Sequence, residues 1–199
     1  MGSDILEFRL HGRGGQGIVV AAAVFAEAVF LSGSYARAFS LFGAERRGAP
    51  VTAFVRVNNE RLMPRSRIYE PDYSVVFDPT IDGSILAAGL KKGGTMLVNA
   101  DQGWATRIPF EDLRSKNVRL FLVDAREIAL KHKLAIGSFP MVNTVMLGAM
   151  ARICGLAALD ELDSSIKKRV SAKVEANINA AADGYAGVRE VDCLAPSCG

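Results

Sequence analysis

The chain has 199 residues, half of them hydrophobic, with 24 lysines and arginines against 21 acids and a net charge of +3. That is enough apolar material for one complete core and too much for a disordered chain. The longest apolar stretch, Gly17 to Leu31, is interrupted by Glu27 and is short for a membrane span. With no basic-then-apolar leader pattern at the N-terminus either, the chain is expected in the cytoplasm, away from membranes.

In chain order, Ile5 to Leu10 alternates apolar and polar residues as a half-buried strand does, and Ile18 to Leu31 is alanine-rich and apolar enough for a buried helix. Between them lies His11-Gly12-Arg13-Gly14-Gly15-Gln16-Gly17, in which Gly12, Gly14 and Gly17 fill a G-x-G-x-x-G pattern. Such glycines make a tight turn, let backbone approach a diphosphate and let the helix pack on the strand. The amides of residues 14 to 18 would then face outward at the start of a helix whose dipole favours negative charge, so an anion, a phosphate above all, is expected there. The alternative is a glycine turn that only closes a βα unit.

Ser34 to Phe39 is a second strand, expected beside the first. The ribose-binding carboxylate of an NAD site should fall near here. The sequence has Arg37-Ala38-Phe39-Ser40 instead, which speaks against NAD and leaves open a ligand with an extra ribose phosphate, such as NADP or coenzyme A. Ser40 to Pro50 is a loop at the end of that strand, on the same rim as the glycine turn. Its Arg46 and Arg47, next to Gly48, could clamp a diphosphate from the other side or form a solvated charged loop. From Gly33 to Arg67 there are seven arginines against two acids, and every lysine or arginine before Lys91 is an arginine. The planar guanidinium suits bidentate capture of phosphate or carboxylate, so an acidic ligand or partner is implied. No nucleic-acid module accompanies this charge, and nucleic acid is not expected as a partner.

Val51 to Val57 reads as a strand ending at the Asn58-Asn59 turn, with Leu62 to Ile68 returning as a hairpin. Tyr73 to Phe77, Gly94 to Asn99 and Val118 to Val123 are further strands, with helices expected through Ile85 and Leu86 and from Asp124 to His132. Asp78, Asn99 and Asp124 fall at strand ends and are expected to cap helices. His11 and His132 read as an ordinary rim residue and a helix-end residue, and no catalytic residue is assigned. A helix opens after Ser138-Phe139-Pro140. Asn143, near its first turn, either satisfies a buried group or reaches a ligand. Ile166, Val170, Val174, Ile178, Ala181 and Tyr185 recur at helical spacing, as one amphipathic C-terminal helix. Cys154, Cys193 and Cys198 are expected as reduced thiols, and no metal site is expected. The fold class is α/β: a Rossmann-like three-layer domain with a largely parallel, mixed sheet and C-terminal helices, residues 1–199 forming one domain with a helical extension at about 157–188.

Gly12 to Gly17, Phe42-Gly43-Ala44-Glu45-Arg46-Arg47-Gly48-Ala49-Pro50, Arg65-Ser66-Arg67-Ile68 and Asn143 to Ala149 occur in an order that resembles the gamma subunit of 2-oxoacid:ferredoxin oxidoreductases. The resemblance implies a complex with alpha, beta and delta-type subunits. Those partners would carry thiamine diphosphate with Mg2+ and [4Fe-4S] clusters, decarboxylate a 2-oxoacid and pass electrons to ferredoxin or another acceptor, coenzyme A taking the acyl group. It implies that Gly12, Arg13, Gly14, Gly15, Gln16 and Gly17 face the phosphates of coenzyme A, that Arg46, Arg47 and Gly48 add positive charge and backbone, and that Asn143 adds a polar contact. The chain lacks a thiamine-type G-D-G stretch and has too few cysteines for a cluster, so it is expected to be inactive alone. A free-standing NADP-dependent oxidoreductase and a non-catalytic nucleotide or coenzyme A module are the alternatives.

Overall fold

The computed structural model of the chain describes residues 5–40, 48–60, 64, 66–101, 103–104 and 111–191. The first βα unit is β1 (Leu6–Arg13), a glycine turn and α1 (Ile18–Leu31), followed by β2 (Tyr35–Ser40) and β3 (Pro50–Asn58). Then come β4 (Tyr73–Val76), α2 (Gly83–Ala87), β5 (Thr95–Asn99), α3 (Glu111–Ser115), β6 (Arg119–Val123) and α4 (Ala125–Lys131). A small hairpin of β7 (Ala135–Ile136) and β8 (Phe139–Pro140) precedes α5 (Asn143–Cys154), α6 (Leu159–Arg169), α7 (Val174–Gly187) and β9 (Arg189–Val191).

Seven strands form one mixed sheet in the order β2-β3-β1-β4-β5-β6-β9. The pairs β1/β4, β4/β5 and β5/β6 are parallel, whereas β2/β3, β3/β1 and β6/β9 are antiparallel. Only β3 and β9 therefore run against the other strands. Phe8 and Leu10 of β1 point to the larger core with α1, α4 and α5, which also takes in Leu162 and Ile166 of α6 and Ile178 and Ala181 of α7. Val76, Met96, Val98, Leu120 and Leu122 point the other way and pack with Leu86, Leu90, Trp104 and Leu113. The result is the three-layer α/β arrangement expected from the βα pattern.

Three sequence expectations change. The second strand does not lie beside the first, because β3 is inserted between them. Pro50–Asn58 pairs with β1 and β2, while Pro64 and residues 66–68 belong to no strand, so the hairpin is β2/β3 rather than one returning through Leu62 to Ile68. The C-terminal stripe is carried by two helices. Val170 leaves α6 in extended backbone, Lys173 takes φ 51, and Asn177 Nδ2 donates to the carbonyls of Ala172 and Lys173, which satisfies the break.

Candidate functional site

The glycine turn occupies the carboxyl end of β1, and Gly17 starts α1 in the left-handed region at φ 74 with no side-chain cap. A Cβ on Gly17 would lie 2.7 Å from Asn143 Nδ2, and one on Gly12 would lie 2.3 Å from Ile18 Cδ1 and 2.7 Å from Gln16 Oε1. Gly17 is required by its backbone angle, while a Cβ on either glycine would displace the ends of neighbouring side chains. The first-turn amides of α1 have no intrahelical acceptors, and among the described residues no side chain caps them. Of the amides expected to face outward, two are engaged internally: Gly14 N donates to Ala49 O (2.8 Å) and Gln16 N to Arg13 O (3.1 Å).

Gly48 N in turn donates to Gly14 O at 3.1 Å, so the end of the 40–50 loop is hydrogen-bonded to the glycine turn on the same rim. Arg46 and Arg47 lie outside the described residues, as do Cys193 and Cys198. Asn143 is buried as the first residue of α5, with its Oδ1 accepting from Thr144 N at 3.0 Å and its Nδ2 against Gly17. It thus closes the start of its own helix and reaches the start of α1.

Arg13 and Gln16 turn away from the open end of α1. Arg13 Nε donates to Asp78 Oδ2 (3.0 Å), Nη1 to Gly48 O (3.2 Å) and Nη2 to Thr80 Oγ1 (3.1 Å). Gln16 Nε2 donates to Asp78 Oδ2 (3.2 Å) while its Oε1 accepts from Arg13 N (2.8 Å). Asp78 is not the helix cap expected of it, since α2 is capped by Asp82 instead. Burial alone would raise the Asp78 carboxyl, but hydrogen bonds from Thr80, the Arg13 charge and the Gln16 amide outweigh it and hold it below the usual range. Asp124 does cap α4, accepting from Glu127 N at 2.9 Å. Asn99 also meets the start of α4, accepting from Ala125 N (3.1 Å), and donates to Phe77 O after β4 (2.9 Å).

Beside the turn, the ends of β4, β5 and β6 enclose a cavity of about 710 Å³. Its wall includes Gln16, Trp104 and the carboxylates of Asp78, Asp101, Asp124 and Glu127, with Arg126 the one cation among the described lining residues. The described wall is therefore acidic on balance and ill-suited to a polyanion.

His11 is not a rim residue. It is buried in β1, where its Nε2 accepts from Arg9 Nε at 2.9 Å, and loss of water and then the Arg9 charge push its pKa down to about 3. His132 ends α4, as expected, with its Nε2 2.7 Å from Asp183 Oδ2. Part of the arginine excess also has an internal use. Buried Arg56 donates to Glu7 Oε1 (2.7 Å) and to the carbonyls of Pro64 (2.7 Å) and Ser66 (2.8 Å).

Residues 7–187 match the family model described as pyruvate ferredoxin/flavodoxin oxidoreductase. The chain belongs to that family. Within the pyruvate ferredoxin/flavodoxin oxidoreductases it is of the gamma (PorC) type, a subunit of an oxidoreductase. It is 44% identical over 183 residues to the pyruvate/ketoisovalerate oxidoreductases common subunit gamma of Pyrococcus furiosus, covering 91% of this chain and 96% of that one. The crystal structure of pyruvate oxidoreductase subunit PORC from Thermotoga maritima superposes with a TM-score of 0.76 at 34% identity, over 94% of this chain and 99% of that one. A chain of 2-oxoglutarate:ferredoxin oxidoreductase from Magnetococcus marinus, solved with 2-oxoglutarate, coenzyme A and succinyl-CoA bound, shares the fold. That likeness has a TM-score of 0.72 at 22% identity, over 93% of this chain but 31% of the larger one. Among the described residues no helix is long and apolar enough to cross a membrane.

Proposed function

We propose that this chain is the coenzyme A-holding gamma subunit of a complex that oxidatively decarboxylates pyruvate, a branched-chain or an aryl 2-oxoacid to acyl-CoA and CO2. The observation that carries this is the uncapped, left-handed entry of α1 at Gly17, with Asn143 against it and the end of the arginine loop hydrogen-bonded to Gly14. An exposed helix start with free amides binds phosphate groups. Gly15, Gly17 and the first-turn amides of α1 would hold the diphosphate, Asn143 would add a polar contact, and Arg46, Arg47 and Gly48 would close over it. Gly12, Arg13, Gly14 and Gln16 would shape the turn. Coenzyme A, when bound, supplies the thiol that accepts the acyl group.

Alpha, beta and delta-type subunits would bring thiamine diphosphate, Mg2+ and the [4Fe-4S] clusters, with ferredoxin or another acceptor taking the electrons. The name of the Pyrococcus relative, a common subunit gamma of pyruvate/ketoisovalerate oxidoreductases, supports a role in such an assembly, which would work in the cytoplasm. NADP is disfavoured by register. Arg37 pairs with Arg56, which pairs with Glu7. Arg37 is therefore level with Glu7, about 20 Å along the strands from Arg13.

Calorimetric titration of the assembled complex separates the ligands. Saturable coenzyme A binding with no NADPH binding is expected, whereas NADPH binding without coenzyme A binding would overturn the assignment.

A further inference from the structure

We propose that Asp78 is a positioning residue of the phosphate turn, its carboxylate fixing Arg13 and Gln16 so that the turn is formed before a ligand arrives. This rests on coenzyme A binding at that turn. Asp78 follows β4, the neighbour of β1, and two donors from each side meet its carboxylate. Arg13 Nε (3.0 Å) and Gln16 Nε2 (3.2 Å) reach Oδ2 from the turn, while Thr80 N (2.9 Å) and Thr80 Oγ1 (2.6 Å) reach Oδ1 from two residues further along. Four donors fill the acceptor capacity of an ionised carboxylate.

The network leaves little freedom in the turn. Gln16 is held at both ends of its amide, by Arg13 N and by Asp78, with its Oε1 2.7 Å from where a Cβ on Gly12 would lie. Arg13 additionally bonds to Thr80 Oγ1 and Gly48 O, so the glycine turn, Gly48 and the end of β4 are joined by one hydrogen-bond network. Because the Arg13 charge is matched by Asp78, the pair contributes geometry to an incoming anion rather than net attraction.

The Asp78→Asn substitution separates these two contributions by sign. By charge alone it unmasks Arg13 and should tighten a polyanion. By geometry it loosens the turn, since an amide has one acceptor oxygen and its NH2 would face two donors. Positioning predicts that the assembled Asp78→Asn complex binds coenzyme A about tenfold more weakly by calorimetry. Its coenzyme A-independent decarboxylation of the 2-oxoacid should keep its rate, and Asp78→Glu should recover most of the affinity. Unchanged or tighter binding by Asp78→Asn overturns the proposal.

If Asp78→Asn fails to assemble, Thr80→Val carries the test: a two- to threefold loss supports positioning and an unchanged affinity overturns it. The double variant Arg46→Ala/Arg47→Ala, measured alongside, keeps the two levels apart. If all variants bind as the parent does, coenzyme A is not held by this turn. If only the arginine variant weakens, Asp78 alone has been misassigned.

Discussion

At Gly17 the backbone angle and the Asn143 contact act on the same position, and both are lost to any other residue. Gly17→Ala places a Cβ in the left-handed region, which costs about 1–2 kcal/mol. A melting temperature lower by several degrees in a thermal scan is the expected outcome, and an unchanged one would mean that the turn does not hold this angle. His11 gives a second residue-level test through pH. Above its unfolded pKa of about 6.5 the imidazole is neutral in both states. As pH falls below that value, the unfolded chain takes up a proton that the folded chain refuses until about pH 3. Stability from this residue is therefore complete above about pH 6.5 and is lost on acidification, at up to about 1.4 kcal/mol per pH unit. Denaturant unfolding of His11→Gln between pH 6.5 and 4 should show a shallower pH slope than the parent, and equal slopes would contradict the buried neutral imidazole. The family resemblance implied that the glycines and Asn143 share a site, and Asn143 Nδ2 does lie against Gly17; that Asp78 bonds to Arg13 and Gln16 was not legible, because capping and clamping use the same strand-end residue type. The Phe77-Asp78-Pro79-Thr80 stretch carries no separate signal for it. Nor does one sequence show which arginines are buried: Arg56 pairs with Glu7 across a strand register that only the sheet defines.

Among the elements, α1 was legible to the residue, since glycines end one side of its apolar run and Ser32-Gly33 the other. The order of β2 and β3 was not read, although length constrains it. Nine residues, 41–49, separate β2 from β3, too few for the crossover that parallel strands need, so β3 must return antiparallel. That β3 returns on the inside, between β2 and β1, depends on Arg13 to Leu6 pairing with Pro50 to Val57, a contact far apart in sequence. The α5/α7 crossing was likewise hidden in composition. A Cβ on Gly148 would lie 1.8 Å from Ala181 O, and one on Gly184 would lie 2.2 Å from Val145 O. These are backbone contacts that cannot yield without separating the helices. Gly148→Ala should cost about 3 kcal/mol, at the upper end of overpacking effects. Because Asn143 starts the same helix, coenzyme A affinity should fall with it. A variant as stable as the parent in denaturant unfolding would show that the two helices are not in this close contact.

At the scale of the whole molecule, Gly48 and Ala49 are hydrogen-bonded to the glycine turn while the neighbouring cavity is walled by carboxylates. On the proposed function, such a chain would hold one anionic ligand at the start of α1 and leave the reaction to its partners. The purified chain should therefore show no 2-oxoacid oxidation by itself and regain it on reconstitution, and activity of the lone chain would contradict that division of labour. The most direct measurement is coenzyme A affinity of the assembled complex carrying Arg46→Ala/Arg47→Ala, read by calorimetry beside the coenzyme A-independent decarboxylation rate. Two charge-assisted contacts, each worth about 1.5–3 kcal/mol, are removed. Affinity should weaken by tenfold or more, since about 1.4 kcal/mol is tenfold, while decarboxylation on the partner subunits continues at the parental rate. Unchanged affinity in an intact complex would contradict the claim that this rim holds coenzyme A through its arginine loop.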